Sequence, residues 1–146
     1  RSCLSKFADD VYVCTDSKKI IEKCSEFGAK AILTKTSHRN GTERIFEAAK
    51  KLKLKSNDII IDVQGDEPLI NPTYIDLTIK FFKKNKFEIV VPHIDFLIKN
   101  KTNIVKLQID QKNKIHWMTR ADSPHGFVKN IKLEFIMVLI KIYLKE

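Results

Sequence analysis

The run Ile59-Ile60-Ile61-Asp62-Val63 constrains the fold of this chain more than any other segment. An Ile/Val run that is continuous rather than alternating reads as a buried strand, of the kind found in sheets covered by helices. Gln64-Gly65-Asp66-Glu67-Pro68 follows at once. Gly65 lets the backbone leave the strand, and Pro68 prevents the ladder from resuming. The carboxylate pair Asp66 and Glu67 is therefore expected at the carboxyl end of a strand, the edge at which open α/β sheets bind ligands. A plain acidic turn fits the same residues, because turns favour such side chains.

The neighbouring segments supply the rest of an α/β pattern. Val11 to Thr15, Lys30 to Thr34 and Phe87 to Val91 read as further strands. Between them lie helices at Ser17–Cys24, Thr42–Leu54 and from Pro72 onward. Asp16 or Ser17 can cap the first helix, Gly28 can terminate it in the left-handed conformation, and Pro72 suits position N1 of the third. The expected apolar stripes are Ile45, Phe46, Ala48, Ala49 and Leu52 in the second helix, and Ile75, Leu77, Ile79, Phe81 and Phe82 in the third. Strands alternating with helices predict a mostly parallel, Rossmann-like sheet flanked by helices. The period then changes. Val105 to Asp110 alternates, Gln111-Lys112-Asn113 reads as a turn, and Lys114 to Thr119 returns, which predicts an antiparallel hairpin near residues 104–119. One domain over residues 1–146 is expected. The tail from residue 130 onward is compatible with a strand, a helix or an unrelated end.

The net charge of +9 raises the possibility of a nucleic-acid partner. Arg1, Arg39, Arg44 and Arg120 are the only arginines, however, and the lysines are scattered. Nucleic-acid readers favour arginine forks and interleaved aromatics, so no nucleic-acid partner is expected. Cys3, Cys14 and Cys24 lack metal-thiolate spacing and suit a reducing compartment. The apolar run Leu133 to Leu144 is interrupted by charge and is shorter than the roughly 20 residues of a membrane span. A cytoplasmic protein without a membrane partner is the expectation.

A second polar signal lies in the loop Thr34 to Arg44. It leaves a strand and opens a helix, with Thr42 as the expected N-cap. Helix N-termini attract anions, and His38, Arg39, Asn40 and Arg44 add donors there. A capped helix with a polar entry loop explains the same residues without a ligand. The spacing excludes an ordinary P-loop.

Together, His38-Arg39-Asn40-Gly41-Thr42-Glu43-Arg44 and Val63-Gln64-Gly65-Asp66-Glu67-Pro68 resemble the H-x-S-G-T-E-R and V-Q-G-D-E-P segments of the CMP-Kdo synthetases, the 3-deoxy-manno-octulosonate cytidylyltransferases. Val11 to Asp16 resembles that family's strand ending in A-T-D, and Thr119-Arg120-Ala121 with Pro124 resembles its S-R-x-x-I-P segment. The likeness runs over residues 10 to 125 and departs from the family at Asn40, where serine is usual. The resemblance implies a nucleotide-diphospho-sugar transferase-like fold and transfer of CMP from CTP to the acid sugar Kdo, for lipopolysaccharide biosynthesis, with release of pyrophosphate. It implies Mg²⁺ as cofactor, with Asp66 as its ligand, and a homodimer. Asp66 and Arg120 are the implied catalytic residues. His38, Asn40, Gly41, Arg44, Gln64 and Gly65 are the implied substrate- and nucleotide-binding residues. Asp16 reads as a helix cap or a cleft residue, His116 as packed or solvent-facing, and Trp117 as core or dimer contact. The family's R-x-x-S-x-R-L-P triphosphate loop and its second metal-binding aspartate have no counterpart here. The expectation is therefore a chain truncated at both ends with impaired activity, the alternative being a non-catalytic nucleotide-binding remnant or interaction module.

Overall fold

The computed structural model describes residues 1–65, 67–85, 87–95, 105–121, 132–133 and 137–141. Two compact units divide the chain: residues 1–90 with 138–146, and residues 91–137.

The first unit carries the strand–helix alternation. Strand β1 (Val13–Thr15) leads to helix α1 (Lys18–Glu26), and β2 (Ala31–Leu33) returns beside β1 in parallel, with Val13 opposite Ala31 and Thr15 opposite Leu33. Helix α2 (Gly41–Lys51) follows, then β3 (Ile59–Val63), α3 (Pro72–Lys84) and β4 (Ile89–Val90). The terminal strand β9 (Met137–Lys141) lies between β3 and β4. Its pairing with β4 is antiparallel, Ile89 opposite Ile140 and Val90 opposite Leu139. The fourth expected strand is thus shorter than Phe87–Val91 and has an antiparallel neighbour from the end of the chain. Local periodicity reports which face of a strand is apolar and carries no information on so distant a partner.

Capping residues set the helix ends. Gly28 has φ +66°, and around it Gly28 N–H donates to the Ser25 carbonyl at 3.0 Å and Ala29 N–H to the Cys24 carbonyl at 2.8 Å. These are the two bonds of a Schellman ending, which needs a left-handed residue where glycine carries no Cβ penalty. Pro72 occupies the first turn of α3, and Asn71 Oδ1 accepts from Thr73 N–H at 3.0 Å. In α2 the cap is Asn40, not Thr42: Asn40 Oδ1 accepts from Glu43 N–H at 2.9 Å. An asparagine amide reaches the N3 amide as well as a threonine hydroxyl does, so the helix starts earlier than the apolar stripe suggests.

The core of this unit is Ala48 and Ala49 from α2 and Ile75, Ile79 and Phe82 from α3, all at most 6% exposed. Burying side chains such as Ile75 and Phe82 contributes roughly 2 kcal/mol each. Thr78 completes the buried face of α3, whereas Leu77 and Phe81 lie half in solvent. The buried spacing 75, 78, 79, 82 is helical, and positions 77 and 81 fall off that stripe. Phe46 is exposed likewise and packs under the Lys50 ammonium, 4.4 Å from the ring centre. Asp76 ties the N-terminal segment to α3 by accepting from Lys6 N–H at 2.9 Å and Phe7 N–H at 3.2 Å.

The second unit is a sheet ordered β5 (Ile94–Asp95), β8 (Lys132–Leu133), β6 (Lys106–Ile109), β7 (Ile115–Thr119). The expected hairpin is β6–β7, antiparallel from Lys106–Thr119 to Ile109–Ile115, with a register shift between Gln108 and Ile109. Asn113 takes φ +59° in its turn, a conformation that asparagine tolerates better than most residues. Short strands at 132–133 and 137–141 give the tail from residue 130 β structure wherever it is described. Among the described residues no helix is long and apolar enough to cross a membrane.

Candidate functional site

The β2–α2 loop and the carboxyl end of β3 meet at the first turn of α2. Gly41 opens that turn. A Cβ built on it would stand 3.8 Å from Gln64 Nε2 and 4.0 Å from Asp62 Oδ2. Gly41 and Gln64 therefore come together, His38, Asn40 and Arg44 lie on the loop and first turn of the same unit, and Gly65 follows at the exposed strand exit. Gly65 has no left-handed φ, and among the described residues a Cβ there would meet no atom within 4 Å. Asp66 lies outside the described residues, as do Pro124 and His125. Arg120 belongs to the second unit, where it is exposed at the end of β7 and its carbonyl accepts from Lys106 Nζ at 3.3 Å.

Arg44 is the centre of the charge pattern. Its Nη2 donates to Asp16 Oδ2 at 2.9 Å and its Nη1 to Thr34 Oγ1 at 2.6 Å. Asp16 and Thr34 follow β1 and β2, so one guanidinium joins α2 to both strand ends. The bond to Arg44, more than any other influence, holds the Asp16 carboxyl below its ordinary range. Asp16 is therefore an ion-pair partner and not the cap of α1. Ser17 holds the cap position and makes no side-chain capping bond. A guanidinium beside Asp16 outcompetes an amide for the carboxylate because the bond is charge-assisted.

Three residues of α2, each one turn apart, hold the loop along its length. Lys51 Nζ donates to the Leu33 carbonyl at 2.6 Å. Glu47 Oε2 accepts from Lys35 N–H at 2.9 Å and pairs closely with His38 Nε2, while its Oε1 receives Lys51 Nζ at 2.8 Å. Glu43 Oε2 accepts from Arg39 N–H at 2.9 Å. The bonds from Lys35, Lys51 and His38 pull the Glu47 carboxyl from 4.5 down to about 2. Sequence reasoning gives Glu43 no role beyond its place in the motif and passes over Glu47. Glu43, Glu47 and Lys51 do share one face at i, i+4, i+8, but that signal reads equally well as a solvated helix face.

Asp62 is a further residue to which the sequence assigned no role. It is 6% exposed, inside an otherwise apolar strand, and accepts from Gln64 Nε2 at 2.8 Å. Burial pushes its carboxyl up, with the Gln64 bond opposing. The nearby Cys14 thiol is also raised, chiefly by burial. Outside this region, His116 is exposed and stands 3.4 Å from Asp110, and Trp117 is 41% exposed at the surface of the hairpin. Among the described residues no group of three or more His, Cys, Asp or Glu side chains could hold a metal ion.

An 8-amino-3,8-dideoxy-manno-octulosonate cytidylyltransferase of Shewanella baltica (strain OS185) is 35% identical over 131 residues, covering 86% of this chain and 54% of its own. One from Shewanella putrefaciens (strain CN-32) is 36% identical over the same shares. The chain thus spans about half the length of the curated relatives it matches. A solved CMP:2-keto-3-deoxy-manno-octonic acid synthetase, complexed with CTP, shares the fold with a TM-score of 0.79 at 22% identity, over 96% of this chain and 60% of that one. The family model described as Cytidylyltransferase matches residues 1–146. That match takes in the tail beyond Gly126, which motif comparison sets apart. With that model matched over the whole chain and relatives 35% and 36% identical over 86% of it, this chain belongs to the cytidylyltransferase family.

Proposed function

We propose that this chain carries the CTP-binding half of an enzyme that makes a CMP-linked eight-carbon acid sugar. The supporting observation is the packing of Gly41, at the start of α2, against Gln64 and Asp62 at the end of β3. Free N–H groups of a first helical turn and the helix dipole favour an anion at that junction. In the reaction the anomeric hydroxyl oxygen of the sugar attacks the α-phosphorus of CTP. The new P–O bond forms as the bond to pyrophosphate breaks, and the hydroxyl proton leaves to solvent or base.

His38, Asn40, Gly41 and Gln64 line the nucleotide side in this reading, and the open space at Gly65 admits the ligand close to the backbone. Arg44 already serves Asp16 and Thr34, so a substrate anion reaches its Nη2 only by displacing Asp16. Mg²⁺ would be held by Asp66, with substrate phosphates completing an oxygen shell, which suits an ion that takes few protein carboxylates. When bound, it neutralises charge at the reacting phosphate. The sugar is Kdo or its 8-amino analogue, the latter named in the Shewanella relatives. The whole enzyme is a cytoplasmic homodimer that feeds lipopolysaccharide synthesis.

Calorimetric titration with CTP, with and without Mg²⁺, tests the binding half. Magnesium-dependent binding is expected, and no heat at millimolar CTP would overturn the reading. Because the chain covers 54% of the length of these relatives, a second reading is a domain that binds nucleotide without turnover. Release of pyrophosphate from CTP with each sugar in turn separates the two.

A further inference from the structure

We propose that Glu47 is a positioning residue for the nucleotide site, fixing the β2–α2 loop and orienting the ring of His38. The inference rests on the reading of that loop as a nucleotide site. Glu47 lies on the second turn of α2, outside both family motifs, with its side chain 15% exposed. Its Oε2 gathers the Lys35 amide and His38 Nε2, and its Oε1 takes Lys51 Nζ. Three donors from the loop and its own helix thus converge on one carboxylate.

The chemistry of this contact defines the ring. An ionised carboxylate has no hydrogen to give, so His38 Nε2 must carry the shared one. Glu47 is drawn down to about 2, and so is ionised at neutral pH. Nδ1 then stands 3.8 Å from Glu43 Oε2, beyond hydrogen-bond reach. In the neutral ring that nitrogen is an acceptor, open to a hydroxyl or amino group of the nucleoside. Asp16, across from α2, lowers the local potential further, and Arg44 opposes it. A mobile loop would have to be ordered as the nucleotide arrives; this one is already held at Leu33, Lys35, His38 and Arg39.

Side-chain ¹⁵N NMR of His38 reads the tautomer directly. The Nε2–H form is expected in the unaltered protein, and mixed tautomers in Glu47→Gln, together with CTP binding weakened about tenfold, the loss of one charge-assisted bond. Glu47→Asp should recover part of both. Lys51→Met removes another partner of the same carboxylate and lowers the melting temperature, but leaves the His38 signal unchanged. An Nδ1–H tautomer in the unaltered protein, or unchanged CTP affinity in folded Glu47→Gln, would overturn the proposal. If the unaltered chain binds no CTP, the nucleotide reading falls, whereas the tautomer result still decides whether Glu47 orients the ring.

Discussion

Asn40 illustrates what one side chain does for a helix start. Its Oδ1 satisfies the Glu43 amide, and it directly precedes Gly41, which packs against Gln64. Replacing it with alanine leaves a helix-terminal donor without its partner. Asn40→Ala should lower stability by about 1 kcal/mol, measured by urea unfolding, and should disturb the ring signals of His38 nearby. Asn40→Ser should restore most of the loss, since serine caps equally well. An unchanged unfolding midpoint in Asn40→Ala would mean that the cap contributes nothing. Arg44 and Glu47 show the same economy. Each uses a side chain on α2 to hold backbone or side chains contributed by the strand ends.

At the scale of elements, helix endings decide where the strands begin. The Schellman ending of α1 turns the chain at Gly28 into β2, whose parallel register on β1 brings Thr34 level with Asp16. A Cβ at residue 28 would meet nothing within 4 Å, so the cost of substitution is purely conformational. Gly28→Ala should lose about 1 kcal/mol from the left-handed backbone, visible as a lower thermal midpoint with unchanged far-ultraviolet circular dichroism. A gain in stability would show that the substituted chain finds another ending for α1. The α1 ending was legible because a glycine after an amphipathic segment has few other uses. The cap of α2 was not, because Asn40 and Thr42 are both good caps and only the observed bond to Glu43 separates them. The exposed positions of Leu77 and Phe81 were missed for a similar reason: an apolar residue reports preference, and the packing of α3 decides which stripe is covered.

For the molecule as a whole, two buried or clamped carboxylates give stability opposite slopes with pH. Glu47 is depressed from 4.5 to about 2 in the folded chain. Its contribution is complete above 4.5 and is lost as pH falls from there toward 2, because the unfolded state takes up the proton first. Asp62 is raised above 3.8. The folded state keeps that proton longer, so stability falls as pH climbs from 3.8 through the raised value. Glu47→Gln should therefore flatten the acid limb of a denaturation profile. Asp62→Asn should raise stability at neutral pH by on the order of 1 kcal/mol, the cost of holding a desolvated charge. A parallel profile for either variant would show that the group is not linked to folding.

The residues alone determined the strand–helix alternation from β1 to β4, the hairpin, and the two motifs that resemble the family's. These are local properties: apolar period, capping chemistry and motif spacing lie within a few residues of one another. Tertiary structure decided that β9 enters the sheet beside β4, that Asp16 serves Arg44 and not α1, and that Asp62 and Glu47 are the perturbed carboxylates. It also brought the strand end of Ile59-Ile60-Ile61-Asp62-Val63 against Gly41. Each of those outcomes depends on burial and on partners distant in the chain, which set the energy of a charge and the choice of a hydrogen bond only once the elements have packed.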